Sequence, residues 1–155
     1  MLGIHHETCT HHIYADDKIR SLRQPQHRMN PILKEIVKEE LQKLLKVGFI
    51  YPISDSQWVS PLVVVPKNNG KWCICVDYKE LNKPTLKDYF PFPFIDQVLD
   101  TLAGKEYFSF LDGFSGYNQI SIAKEDQDKT TFTCPWGTYA YKVLPFGLCN
   151  APATF

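Results

Sequence analysis

An apolar run, Tyr107-Phe-Ser-Phe-Leu111, leads straight into Asp112, and a Gly- and Ser-rich turn follows before Tyr117. A carboxylate set at the end of a buried strand costs free energy unless something cationic meets it. A divalent metal is the natural cation for that place. Two-metal phosphoryl chemistry needs at least two converging carboxylates, and no second one at the end of an apolar strand follows before Phe155. The residues therefore read as half of a metal-dependent site. Two other groups invite chemistry. His5, His6, Cys9, His11 and His12 are all zinc-type ligands, but their spacing fits no usual zinc module, and they read as a floppy His-rich arm. Asp77, on a strand beside basic residues, reads as a structural ion pair rather than a metal ligand.

The elements that must position these groups follow from pattern and punctuation. Residues 1–29 read as an irregular N-terminal arm. Asn30-Pro31 is an N-cap with proline at the first helical position, and Ile32, Leu33, Ile36, Val37, Leu41, Leu44 and Leu45 repeat at helical spacing up to Gly48. A strand is expected around Trp58–Pro66, with Pro61 and Pro66 marking an edge or bent strand. Lys67-Asn-Asn-Gly-Lys71 is a hairpin turn. The return strand places Trp72, Ile74, Val76 and Tyr78 on one face and Cys73, Cys75 and Asp77 on the other. Phe94, Ile95, Val98, Leu99 and Leu102 make a second short helix stopped by Gly104. A strand then runs to Asp112. Thr130–Cys134 and Thr138–Val143 form a hairpin turned at Pro135-Trp-Gly137. Asn150, with Pro152 close behind, caps a last helix of barely one turn.

Composition excludes several classes. With 44% apolar and 14% aromatic residues the chain can build a core. Seventeen basic and 17 acidic residues cancel, so any nucleic-acid face must be local. No apolar run approaches a membrane span and no signal peptide opens the chain. Five cysteines without a Cys-x-x-Cys pair suit reduced thiols in an intracellular protein.

The blocks VDYKELNKPTLKDYFPFP, FSFLDGFSGYNQI, KTTFTCPWGTYAYKVLPFG and GLCNAPATF, in this order and spacing, resemble the reverse transcriptase of Gypsy-type long-terminal-repeat retrotransposons. The likeness runs from about Cys9 to Phe155. It implies an α+β, right-hand polymerase fold, with residues 30–155 as the fingers and the first half of the palm, its sheet incomplete and packed with helices. It implies an RNA-directed DNA polymerase that in complete form adds deoxynucleotides to a primer on an RNA or DNA template. By the same resemblance Asp112 is the catalytic carboxylate and holds Mg2+ with the Gly113 carbonyl, two ions being expected in a complete enzyme. Ser115 and Gly116 cradle the triphosphate, Tyr117 excludes a 2′-hydroxyl, and Phe146 and Gly147 line the same pocket. Lys67 turns toward phosphate. Lys79, Asn82, Gly147 and Pro152 touch the template. Primer–template RNA or DNA and deoxynucleoside triphosphates are the implied partners, with no membrane.

Two departures qualify the resemblance. Cys73 stands where the family pattern has an arginine that grips the triphosphate, and a thiol lacks a guanidinium's fork of donors. A Tyr-x-Asp-Asp hairpin is expected after the helix opened at Asn150. Tyr14-Ala-Asp-Asp17 matches those letters but lies before the first carboxylate, with Lys18 and Arg20 where an apolar strand is needed. The expectation is a chain inactive alone. The alternative is a non-catalytic, weakly nucleic-acid-binding or inert remnant of a decayed retrotransposon.

Overall fold

A computed structural model describes residues 3–16, 18–66, 70, 72–91, 93–109, 113 and 115–155. In chain order its elements are β1 (Thr10–His11), α1 (Pro31–Val47), β2 (Ile50–Pro52), β3 (Ser60–Pro66), β4 (Trp72–Val76), α2 (Lys79–Asn82), α3 (Ile95–Leu102), β5 (Ser121–Ile122), β6 (Phe132–Cys134), β7 (Gly137–Tyr141) and α4 (Ala151–Thr154). Short 3₁₀ segments span Gly116–Gln119 and Lys124–Thr130. The α+β class is as expected. No helix among the described residues is long and apolar enough to cross a membrane.

Helix α1 begins and ends where its punctuation dictates. The Asn30 side chain accepts a hydrogen bond from Leu33 N–H at 2.8 Å, and Gly48, with φ 81°, closes the last turn. Val37 and Leu41 are buried where α1 rests on β2 and β4. Burial of each contributes about 1.5–3 kcal/mol. Ile32 and Leu45 at the ends of the same stripe stay exposed.

The main sheet has the order β2-β7-β6-β3-β4. β3 and β4 form the expected antiparallel hairpin, from Leu62 opposite Val76 to Pro66 opposite Trp72. Of its turn, Lys67, Asn68, Asn69 and Lys71 lie outside the described residues. β3 is not an edge strand: at Ser60 and Pro61 it also runs parallel to β6. Its partners engage different halves, and Pro61 offers only its carbonyl, which accepts from Asp77 N–H at 3.0 Å. β6 and β7 form the second expected hairpin, closed by Pro135 and Trp136, with Gly137 already paired to Cys134. Tyr78, Leu62, Leu81, Phe132, Ile120 and Leu144 fill the core. The buried Tyr78 hydroxyl donates to Thr130 C=O at 2.9 Å, and burial pushes its pKa well above the ordinary phenol value.

Three expectations need correction. The N-terminal arm is not floppy. β1 pairs in parallel with β5, Ala15 bridges Thr85, Arg23 bridges Val59, and Ile13 is buried. One apolar anchor and backbone pairing hold it, a pattern too sparse to register as periodicity. Helix α3 forms and stops as predicted, but none of its residues is buried. Periodicity fixes the helix and not the surface that receives it. The run toward Asp112 is not a buried strand over Tyr107–Ser109. These residues are exposed and outside any strand, because no strand among the described residues offers them a ladder. Asp112 itself, with Phe110 and Leu111, lies outside the described residues.

Candidate functional site

Beyond Asp112 the chain turns tightly. Ser115 takes a left-handed conformation, φ 59°, and Gly116 follows at φ 36°. Such a serine costs about 1–2 kcal/mol, so its neighbours must hold it. Gly116 N–H donates to Gly113 C=O at 3.0 Å and Asn118 N–H to Ser115 C=O at 2.9 Å. The buried Ile120 anchors the end of the turn, and its carbonyl accepts from Leu144 N–H at 2.9 Å. That bond ties the turn to the Leu144–Gly147 segment. Between them lies a cavity of about 380 Å³ lined by Gly113, Ser115, Gly116, Tyr117, Asn118, Phe146 and Phe155. The Tyr117 ring stands 5.1 Å from that of Phe146 and 5.3 Å, edge-on, from that of Phe155. A Cβ on Gly113 would come within 3.2 Å of the Phe155 ring, so the small residue there permits the close approach.

Five of the expected site residues, Gly113, Ser115, Gly116, Tyr117 and Phe146, thus share one cavity. Asn118 and Phe155 were missed. Phe155 lies four residues after Ala151, one turn on, and its N–H donates to the Ala151 carbonyl at 3.1 Å. That spacing was a usable signal.

Asn82 and Gly147 meet in a second contact. Asn82 Nδ2 donates to Gly147 C=O at 2.7 Å, and Cys149 N–H donates to Asn82 Oδ1 at 3.0 Å. The side chain of α2 therefore clamps the segment carrying Phe146. Gly147 has φ 102°, a conformation that L side chains rarely adopt. Asn150 does not cap α4 with its side chain as expected. Its Nδ2 donates to Leu86 C=O at 2.8 Å and its Oδ1 accepts from Asp88 N–H at 3.0 Å. A longer-range pair of backbone partners outcompetes the local cap. Pro152 is exposed on α4. Lys79 is exposed, with Nζ 3.8 Å from Asp77 Oδ2, while Asp77 Oδ1 accepts from Lys79 N–H at 3.1 Å. Asp77 is thus the structural ion pair expected of it. Lys67 lies outside the described residues.

The zinc-type residues of the arm divide rather than converge. His5 and His6 face each other at 4.5 Å, with Glu7 beside His5 at 3.5 Å, all exposed. Cys9 Sγ donates to Thr154 C=O at 3.8 Å. His11 Nδ1 is 2.8 Å from Thr154 Oγ1. Burial pushes the His11 pKa down to about 4, opposed by the Asp126 carboxylate and assisted by His12. His12 Nδ1 lies 3.5 Å from Asp126 Oδ2 and 3.8 Å from Glu125 Oε1. Asp126 is already engaged: Oδ2 accepts from Ile13 N–H at 3.0 Å and Oδ1 from Lys129 Nζ at 2.6 Å. Within Tyr14–Asp17, Asp16 Oδ1 accepts from Lys18 N–H at 3.0 Å, and Leu86 N–H donates to Tyr14 C=O at 2.7 Å. The described part of that tetrapeptide serves as an edge against residues 84–86. Asp17 lies outside the described residues.

Known proteins resemble this chain in sequence and in fold. Residues 65–155 match the family model for reverse transcriptase (RNA-dependent DNA polymerase). A retrovirus-related Pol polyprotein from transposon 412 of Drosophila melanogaster is 42% identical over 127 residues, covering 78% of this chain and 10% of that protein. The enzymatic polyprotein of figwort mosaic virus is 36% identical over 143 residues, covering 90% and 21%. The chain therefore spans only a tenth to a fifth of the length of these relatives. Among solved structures, prototype foamy virus protease-reverse transcriptase superposes with a TM-score of 0.82 at 30% identity, covering 94% of this chain and 19% of that one. The foamy viral enzyme in complex with RNA/DNA hybrid gives 0.84 at 27% identity, over 99% and 20%.

Proposed function

Because this chain belongs to the reverse transcriptase (RNA-dependent DNA polymerase) family, we propose that it carries the deoxynucleotide-facing part of an RNA-directed DNA polymerase. On this reading residues 30–155 are its fingers and the first half of its palm, preceded by the arm of residues 1–29. One observation carries the reading: Tyr117 stands between Phe146 and Phe155 over the cavity bounded by Gly113 and Gly116. A phenol at that place meets the sugar of a nucleotide whose phosphates lie toward the turn, and its bulk disfavours a 2′-hydroxyl. The Gly116 amide is engaged with Gly113 C=O, so a triphosphate oxygen shares that donor in a three-centre bond or displaces the carbonyl. Ser115 flanks the same phosphates.

A divalent ion belongs to the family's chemistry, and the donors here are of the right kind. Gly113 C=O accepts one N–H bond and keeps a second lone pair, an oxygen ligand of the type magnesium takes. Asp112 and the Gly113 carbonyl would hold Mg2+, which when bound would offset triphosphate charge.

On the template side the proposal assigns Lys79, Asn82, Gly147 and Pro152, with Lys67 toward phosphate. The foamy viral neighbour is solved with an RNA/DNA hybrid, which supports a nucleic-acid partner of that kind. Asn82 acts there by holding Gly147 in place. With formal charge zero, duplex binding depends on these few groups and weakens with salt.

Equilibrium binding tests the reading. A deoxynucleoside triphosphate with magnesium should quench the intrinsic fluorescence of the chain. Asp112→Asn should weaken binding at least about tenfold, 1.4 kcal/mol. Wild-type affinity in that variant would overturn the assignment. The 155 residues alone should extend no primer, and extension abolished by Asp112→Asn would refute that expectation.

A further inference from the structure

Cys73 and Cys75 are two residues apart on β4, so their side chains leave the strand on one face. Their Sγ atoms stand 3.8 Å apart, with Cys75 directed at Cys73, and both residues are half-buried. Opposite them in β3 are Val65 and Val63, which hold the strand in register and compete for no ligand. Among the described strands, β4 is the outer one of its sheet.

That separation has a chemical meaning. Two sulfurs each about 2.3 Å from a tetrahedral ion stand about 3.8 Å apart. The pair already spans the chord of such a site without any change of backbone. A disulfide would require the sulfurs to close to about 2.05 Å, against the extended strand between them. We propose that Cys73 and Cys75 form a two-thiolate site for a soft divalent ion of the zinc and cadmium class, its remaining positions filled by water. Two S–H bonds are exchanged for two sulfur–metal bonds and two protons pass to solvent, with no change of oxidation state. The inference rests on strand geometry and is independent of the polymerase reading.

Cadmium titration of the reduced chain tests it, read by the sulfur-to-cadmium charge-transfer absorption and by counting free thiols. One equivalent should bind and protect two of the five cysteines. Cys73→Ser and Cys75→Ser should each weaken binding at least about tenfold, while Cys134→Ser and Cys149→Ser leave it unchanged. Zinc should compete for the same site. Unaltered affinity in the Cys73→Ser/Cys75→Ser double variant would overturn the proposal. Should a serine variant fail to fold, alkylation mapping on the wild-type chain decides. Protection of Cys73 and Cys75 supports the site, and protection of any other pair refutes it.

Discussion

Asn82→Ala probes the clamp on the Gly147–Cys149 loop, which we propose faces the nucleotide. It leaves Gly147 C=O without its 2.7 Å donor and Cys149 N–H without its 3.0 Å acceptor. Two net hydrogen bonds at about 0.5–1.5 kcal/mol each, with water replacing part of them at a partly exposed site, give about 1–2 kcal/mol. Gly147→Ala disturbs the same loop by another route. Its Cβ would lie 3.4 Å from Tyr78 Cδ2 and Val76 O, an ordinary contact, while φ stays at 102°. Backbone strain of about 1–3 kcal/mol is therefore the cost, not crowding. Both substitutions act on one carbonyl, so the double variant should lose less than the sum by at least about 0.5 kcal/mol. Urea denaturation at constant m measures all four corners, and each kcal/mol should also lower Tm by about 2–4 °C for a chain this long. Phe146 precedes Gly147 and packs on Tyr117, so both single variants should also weaken deoxynucleotide binding. Stability within 0.5 kcal/mol of wild type for Asn82→Ala, or strict additivity, would refute the view that this amide orients the loop.

Asp126→Ala should cost about 3 kcal/mol, because it leaves the Lys129 ammonium with only the Ile13 carbonyl as its protein partner and the Ile13 N–H without its acceptor. Proteolysis within residues 1–29 should rise in step, and a loss under 1 kcal/mol would show that the arm is held otherwise. His11 is kept neutral, its pKa pushed from 6.5 down to about 4 by burial. The unfolded chain therefore binds the extra proton between those values. Its contribution is complete above pH 6.5 and is lost as pH falls toward 4, on the order of 2 kcal/mol. His11→Gln should flatten stability across that window, and an unchanged slope would count against the assignment. Tyr117→Ala should raise the affinity for ribonucleoside relative to deoxyribonucleoside triphosphates at least about tenfold, or 1.4 kcal/mol; an unaltered ratio would remove Tyr117 from the sugar site.

Local punctuation made much of this fold legible. Asn30, Pro31 and Gly48 bound α1, Pro135 and Trp136 close a hairpin, and Gly104 follows α3. Each signal acts within a few residues of itself, through a fixed φ or a cap. What escaped prediction depends on partners far along the chain. The arm is held by Asp126 and Lys129, more than 110 residues away. Asn150 serves Leu86 and Asp88 rather than its own helix, and β3 gains a second partner at Ser60. At the cavity, the resemblance supplied the residues and their order, whereas Asn118 and Phe155 needed the three-dimensional turn.

The energetics of that turn argue for a site rather than for scaffolding. Ser115 holds positive φ where glycine would hold it at less cost. Phe146 and Phe155 are 66% and 59% exposed although each touches Tyr117. The strained Ser115 and the Tyr117, Phe146 and Phe155 rings meet at this opening, beside a glycine whose lack of a side chain lets Phe155 approach. Both fall where a flat base and a sugar would supply the missing contact. Nucleotide binding should therefore stabilise this chain against urea, and the stabilisation should vanish in Phe146→Ala. A ligand-independent midpoint in the wild-type chain would leave the strained turn without its explanation.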